Sequence, residues 1–73
     1  MSLSQAKQKN IFGLPLSDRE LDVLELLAEG YLRKDIAVKL LISTETVKKH
    51  LKNSYQKLGA TNKVEAIRKA KLL

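Results

Sequence analysis

The sequence predicts an all-α domain of four short helices, and three observations carry that reading. Capping residues and glycines punctuate the chain at helix-length intervals, with Ser17, Ser43 and Asn62 as starts and Gly30 and Gly59 as stops. Between them, apolar residues return every three or four positions, the period of one helix face. The third observation is what the composition leaves available. The 73 residues contain no cysteine and one histidine, His50, so disulfides are excluded and a structural zinc site lacks its usual ligands. A chain of this size holds one domain with a modest core, and packed helices are the remaining way to stabilise it.

Residues 1–14 read as a tail, a linker or in part an expression scar, and residues 15–73 as the domain. Ile11, Phe12, Leu14 and Leu16 belong to a segment broken by Gly13 and Pro15, and are expected to lie extended against the first helix. That helix opens on a capping box, Ser17-x-x-Glu20, in which each side chain accepts from the other residue's backbone N–H. Leu16 and Leu21 occupy the flanking staple positions, while Asp18 and Glu20 suit the positive end of the helix dipole. Leu21, Leu24, Leu27 and Ala28 repeat at helical spacing with Val23 beside them, and Gly30 suits a left-handed cap.

A second helix, Arg33 to Leu40, places Ile36, Ala37 and Leu40 on one face, although Leu32 stands where a Ser or Asp cap is expected. Leu41 and Ile42 form a short apolar turn. Ser43 then caps a third helix, Thr44 to Leu58, which Gly59 closes. Thr61 or Asn62 opens a fourth, where Asn62 and Glu65 repeat the capping-box spacing and Val64, Ala66, Ile67 and Ala70 run towards the C-terminus.

Charge divides the chain more sharply than its net +6 suggests. Residues 1–47 carry six Lys/Arg against seven acids, a net of −1; residues 48–73 carry eight against one, Glu65, a net of +7. Such asymmetry marks a surface for a polyanion, nucleic acid or anionic membrane, unless it is only a solvated lysine-rich face. No apolar run is long enough for a membrane span, and the N-terminus lacks a secretion-signal core, so a cytoplasmic domain is expected.

The third helix decides between these readings. At about 100° per residue, Val47, Leu51, Ser54, Tyr55 and Leu58 share one inward arc. Lys48, Lys49, Lys52, Asn53, Gln56 and Lys57 take the other half, with Glu45 the one acid among them. A solvated helix gains from mixed signs at i,i+4, whereas Lys48 and Lys52 place like charges together. Ala37 and Val47, ten apart across a short turn, fit the close approach of a helix-turn-helix formed by the second and third helices. In that motif the N-terminal part of the second member faces base edges. Lys48, Lys49 and Lys52 lie there, and Thr44, Thr46 and the first backbone amides can hold phosphates.

The stretch from Leu16 to about Ala70 resembles the LuxR-type (GerE-type) DNA-binding domain. The matching residues are L-S-x-R-E-x-x-V-L-x-L-L-A-x-G at 16–30, D-I-A-x-x-L at 35–40 and I-S-x-x-T-V-K-x-H-L at 42–51. They continue as N-x-Y-x-K-L-G at 53–59 and N-K-x-E-A-I at 62–67. The resemblance implies sequence-specific binding of double-stranded DNA by the output domain of a bacterial transcription regulator, whose regulatory domain lies outside this chain. It further implies the third helix in the major groove, a homodimer through the fourth helix on inverted half-sites, and a place on the nucleoid. Carried over by residue, Lys48, Lys49 and Lys52 face bases, and Thr44, Thr46, Asn53, Lys57, Lys34 and Lys63 meet phosphates. Val64, Ile67 and Leu72 are candidates for the dimer seam, shared with core packing. Two residues depart from the family pattern: Leu32 replaces a Ser cap, and Ser54 replaces an inward Ile, where it either bonds back to the His50 carbonyl or leaves the core locally loose.

Other chemistry finds little support. His50 lies beside the core arc without a Cys or His partner, which favours a structural or phosphate-adjacent role over a metal. The acids of the first helix, Asp18, Glu20, Asp22, Glu25 and Glu29, accompany no nucleophile and no Gly-rich loop, so neither an enzyme nor a cofactor is expected. Tyr31 and Tyr55 read as packing residues, too few for a single-strand stacking platform. Two alternatives remain: a sigma-factor-like promoter-reading domain, against which the K-L-G-A-T-N-K-V-E-A-I tail argues, and an interaction or dimerisation module without DNA contact.

Overall fold

Isolated helices shorter than about 12–15 residues are marginal in water, and three of the four helices here fall below that length. The computed structural model describes residues 15–71, arranged as α1 (Asp18–Ala28), α2 (Arg33–Leu40), α3 (Thr44–Leu58) and α4 (Lys63–Lys69). No strand occurs among the described residues, and none of their helices is long and apolar enough to cross a membrane. The expectations for Ile11, Phe12, Leu14, Leu72 and Leu73 fall outside the described residues.

The short helices are held by packing on α3, which touches each of the other three, while α1 also contacts α2 and α4. Val23 and Leu24 of α1, Ile36 of α2 and Val47 and Leu58 of α3 are fully enclosed. Leu16, Leu21, Leu27, Ala37, Leu51, Ala66 and Ala70 complete the same cluster, with Tyr31, Leu40, Ile42 and Tyr55 packed on its margin. The helix-turn-helix pair Ala37 and Val47 is therefore buried in one core. Ser54 sits wholly inside it, and its hydroxyl donates to the His50 carbonyl at 2.7 Å, so the polar group carries its own acceptor into the apolar interior.

Local signals explain the boundaries. Ser17 Oγ accepts from the Glu20 N–H at 3.1 Å and Glu20 Oε1 accepts from the Ser17 N–H at 2.9 Å, completing the capping box, with the staple leucines Leu16 and Leu21 both buried. Gly30 follows at φ 102°, where the backbone angle, rather than any crowding, calls for glycine. Leu32 begins α2 without a side-chain cap, as expected. At α3, Ser43 Oγ accepts from the Thr46 N–H at 3.0 Å, and Gly59 closes the helix at φ 67°. The start of α4 differs from the expected box. Asn62 Oδ1 does accept from the Glu65 N–H, but Glu65 Oε1 reaches one residue further back and accepts from the Thr61 N–H at 2.7 Å and its hydroxyl at 3.1 Å. These bonds hold the Glu65 carboxyl below its ordinary value. The helix then ends at Lys69, whose ammonium donates to the Gly59 carbonyl at 2.8 Å.

Two features were not expected. Leu41, the cap of α2, has φ 59° and is 90 % exposed, so a side-chain-bearing residue occupies the left-handed region and gains almost no burial. Glu20 is 4 % exposed and does more than cap a helix: the same Oε1 that accepts from Ser17 also accepts from Lys57 Nζ of α3 at 2.9 Å. Lys57 Nζ donates in addition to the Pro15 carbonyl at 3.3 Å. Burial pushes the Glu20 carboxyl up, but the Ser17 N–H and the Lys57 ammonium outweigh it and hold the group below the usual 4.5.

Two stability predictions follow from these contacts. Leu41→Asn should stabilise the domain by about 0.5–1 kcal/mol, read as a higher melting temperature, because Asn tolerates the left-handed region better and little apolar burial is lost. Lys57→Met strands a buried carboxylate and should cost about 2–3 kcal/mol at neutral pH. A carboxyl with a depressed folded pKa contributes stability above its unfolded value and loses it as pH falls through the folded one. The Lys57→Met deficit should therefore shrink on acidification below pH 4.5, as read by urea unfolding at a series of pH values.

Candidate nucleic-acid interface

Because α3 buries Val47, Leu51, Ser54 and Leu58, its geometry forces the intervening residues outward. Lys48, Lys49 and Lys52 are all exposed, and Gln56 joins them on the outer side. The one acid on this face, Glu45, lies 4.0 Å from Lys48 with both side chains largely in water, a contact too long and too solvated to neutralise the surface. The result is a helix with an apolar, closed side and three exposed ammonium groups on the other.

The remaining predicted residues fall into distinct settings. Thr44, Lys34 and Lys63 are exposed, at the starts of α3, α2 and α4 respectively, and Asn53 is half-buried. Thr46 is partly committed to the fold: its N–H and its hydroxyl both bond Ser43 Oγ, the latter at 2.8 Å. Lys57 is committed more fully. Its ammonium, bonded to Glu20 and Pro15, braces α3 against the entry to α1, so the charge expected at a phosphate is already engaged inside the protein. A surface lysine and a lysine with a partner 37 residues away look alike in sequence; the buried Glu20 beside its cap gave no local sign of that partner.

The fourth helix separates its candidates too. Val64 is 58 % exposed, whereas Ile67 is 6 % exposed and so already covered by the chain itself; Leu72 lies outside the described residues. His50 is half-buried and serves through its carbonyl as the acceptor for Ser54. Among the described residues no group of His, Cys, Asp and Glu could hold a metal ion.

One residue outside the sequence-based set is placed with the lysines. Arg33, at the first position of α2, shares a groove of about 390 Å³ with Lys48, Lys52, Tyr55 and Gln56. Its identity as a cation was visible in the sequence; its position across from the middle of α3 depends on the crossing of two helices.

Comparison with known proteins agrees with this arrangement. The profile of the family described as bacterial regulatory proteins, luxR family (GerE), matches residues 14–70. The HTH-type transcriptional regulator MalT of Serratia proteamaculans (strain 568) is 42 % identical over 59 residues, covering 81 % of this chain. The matched stretch is 6 % of that relative's length, so the chain corresponds to a small part of it. With four helices, a buried Ala37 and Val47 and a match across nearly all of the described residues, this chain belongs to the LuxR family of bacterial regulatory proteins, as a DNA-binding helix-turn-helix domain of transcription regulation.

Proposed function

We propose that the domain binds double-stranded DNA in a sequence-specific manner as the output domain of a bacterial transcription regulator, with α3 in the major groove. The observation that carries this reading is the opposition on α3 of a closed apolar stripe to the exposed Lys48, Lys49 and Lys52. Like charges gathered on one helix cost stability in isolation and are relieved by an anionic surface. In the proposed complex these three lysines meet base edges, for which guanine O6 and N7 are the natural acceptors. Lys34, Thr44, Thr46, Asn53 and Lys63 contact phosphates, Thr46 by sharing the hydroxyl that already bonds Ser43. Lys57 is left out of this set, because removing it from Glu20 would expose a buried carboxylate to an unpaired state. The domain works in the bacterial cytoplasm as a homodimer on inverted half-sites, with α4 at the seam and the signal-receiving part of the regulator elsewhere in the parent protein. Val64 supplies the open apolar contact for that seam.

A salt series on duplex DNA tests the core of the proposal. Counterion release makes log K fall linearly with log salt by about 0.9 per phosphate neutralised; a wild-type domain that shows no salt-dependent binding to any duplex at low ionic strength would leave only the interaction-module reading. Among variants, Lys48→Ala and Lys52→Ala should lower specific binding by about 1–3 kcal/mol and relax preference at particular base pairs. Lys34→Ala should weaken all duplexes to a similar extent. Equivalent behaviour of the three variants would refute the assignment of base and phosphate contacts.

The seam has its own test. Val64→Glu places a charge on an exposed position, so folding should survive while paired binding to an inverted-repeat duplex is lost, as followed by sedimentation. A complex of unchanged stoichiometry would exclude Val64 from the dimer contact.

A further inference from the structure

Two grooves flank the side of Tyr55 and meet at the same pair of residues. The first, of about 390 Å³, runs along the recognition face and is lined by Lys48, Lys52, Gln56, Arg33 and Tyr55. The second, of about 330 Å³, is lined by Arg33, Tyr55, Leu32, Asn62 and Lys63, and so opens towards the start of α4. Arg33 and Tyr55 line both. Cations therefore stand at either end, Lys48 and Lys52 on one side and Lys63 on the other, with a guanidinium where the two grooves join.

Arg33 is exposed and makes no ion pair among the described residues. By contrast, Arg19 lies 3.6 Å from Asp22, and Lys57 is bound to Glu20. Tyr55 is half-buried and packs on the core margin, which fixes its ring as a wall of both grooves. Burial pushes its hydroxyl up while the charge of Arg33 works against that rise, which places the guanidinium near enough to act on the phenol. Two adjoining grooves with cations at both far ends and no acid in their lining suit a linear polyanion better than a compact ligand, and one of them lies on the face already assigned to DNA.

We propose that Arg33, seated against Tyr55 at the junction of the two grooves, grips a backbone phosphate of the bound duplex and guides that strand from the recognition face of α3 towards Lys63 at the start of α4. This inference rests on the proposed DNA binding and adds to it a residue and a strand path. Arginine suits the position because its planar fork can meet two phosphate oxygens at once, which a lysine ammonium cannot do in the same geometry.

The test is a salt series on a random-sequence duplex with the full chain as wild type, Arg33→Ala, Arg33→Lys and Arg19→Ala, with thermal melts of each to confirm folding. Arg33→Ala should make the slope of log K against log salt shallower by about 0.9, which corresponds to a loss of affinity about 3.5-fold larger at 50 mM than at 200 mM salt. Arg33→Lys should recover the slope but remain weaker than wild type, and Arg19→Ala should keep the wild-type slope. If the wild type binds with a salt-dependent slope that Arg33→Ala retains, the clamp is overturned while DNA binding stands. Equal shallowing in Arg33→Ala and Arg19→Ala also overturns it, since the effect would then be one of overall charge. Absence of salt-dependent binding by the wild type removes the DNA reading itself, and the clamp with it.

Discussion

Helix α3 has to be two surfaces at once, and the rest of the domain depends on that constraint. Val47, Leu51, Ser54 and Leu58 form the inward side on which α1, α2 and α4 all pack, so without it helices of eight and seven residues would keep only their smaller contacts with α1. The outward side, fixed by the same 3.6-residue turn, is where Lys48, Lys49 and Lys52 must then appear. The cationic surface and the core are thus opposite sides of one element, and the register of one determines the register of the other. This is why so small a domain, in a chain without cysteine, can still present side chains in a defined array.

The two halves of the problem meet again at Glu20. A single oxygen accepts from the start of α1 and from Lys57 near the end of α3, and both bonds are 2.9 Å. The pair illustrates how a charge on the lysine-rich α3 can belong to the architecture rather than to the open surface. Of the lysines on α3, Lys57 lies furthest along the helix and closest to the incoming chain at Pro15, and its ammonium turns back to the protein. Lys48, Lys49 and Lys52, earlier on the helix, stay in solvent.

Much of the fold was legible in the sequence because its signals are local. Ser43 and Gly59 delimit α3 at the residues expected, and Arg33 to Leu40 forms α2 even without a side-chain cap, since the apolar face of Ile36 and Ala37 compensates by burial. For Ser54 the bond to the His50 carbonyl was one of two outcomes open to the sequence, readable because that partner is one turn away, and it is the one the structure shows. What stayed hidden depends on chain geometry or on distant partners. Nothing around Glu20 announces a lysine 37 residues later, the Asn62 capping box gives no hint that Glu65 will choose Thr61, and Leu41 carries no mark of a left-handed backbone. The candidate site follows the same division. The three outward lysines follow from helical periodicity, while the meeting of Arg33 with Tyr55 needs the crossing of α2 over α3.

The oxygen shared at Glu20 also bears on how the domain opens. Helix ends ordinarily fray by themselves, because their first amides have no intrahelical acceptors. Here the Glu20 side chain that satisfies the Ser17 amide also holds Lys57 of α3, so a movement of that one carboxylate disturbs both helices at once. Exchange of the Ser17 amide hydrogen with solvent is therefore a local gauge of the Glu20 carboxylate, the one group through which the entry to α1 is tied to the far end of α3.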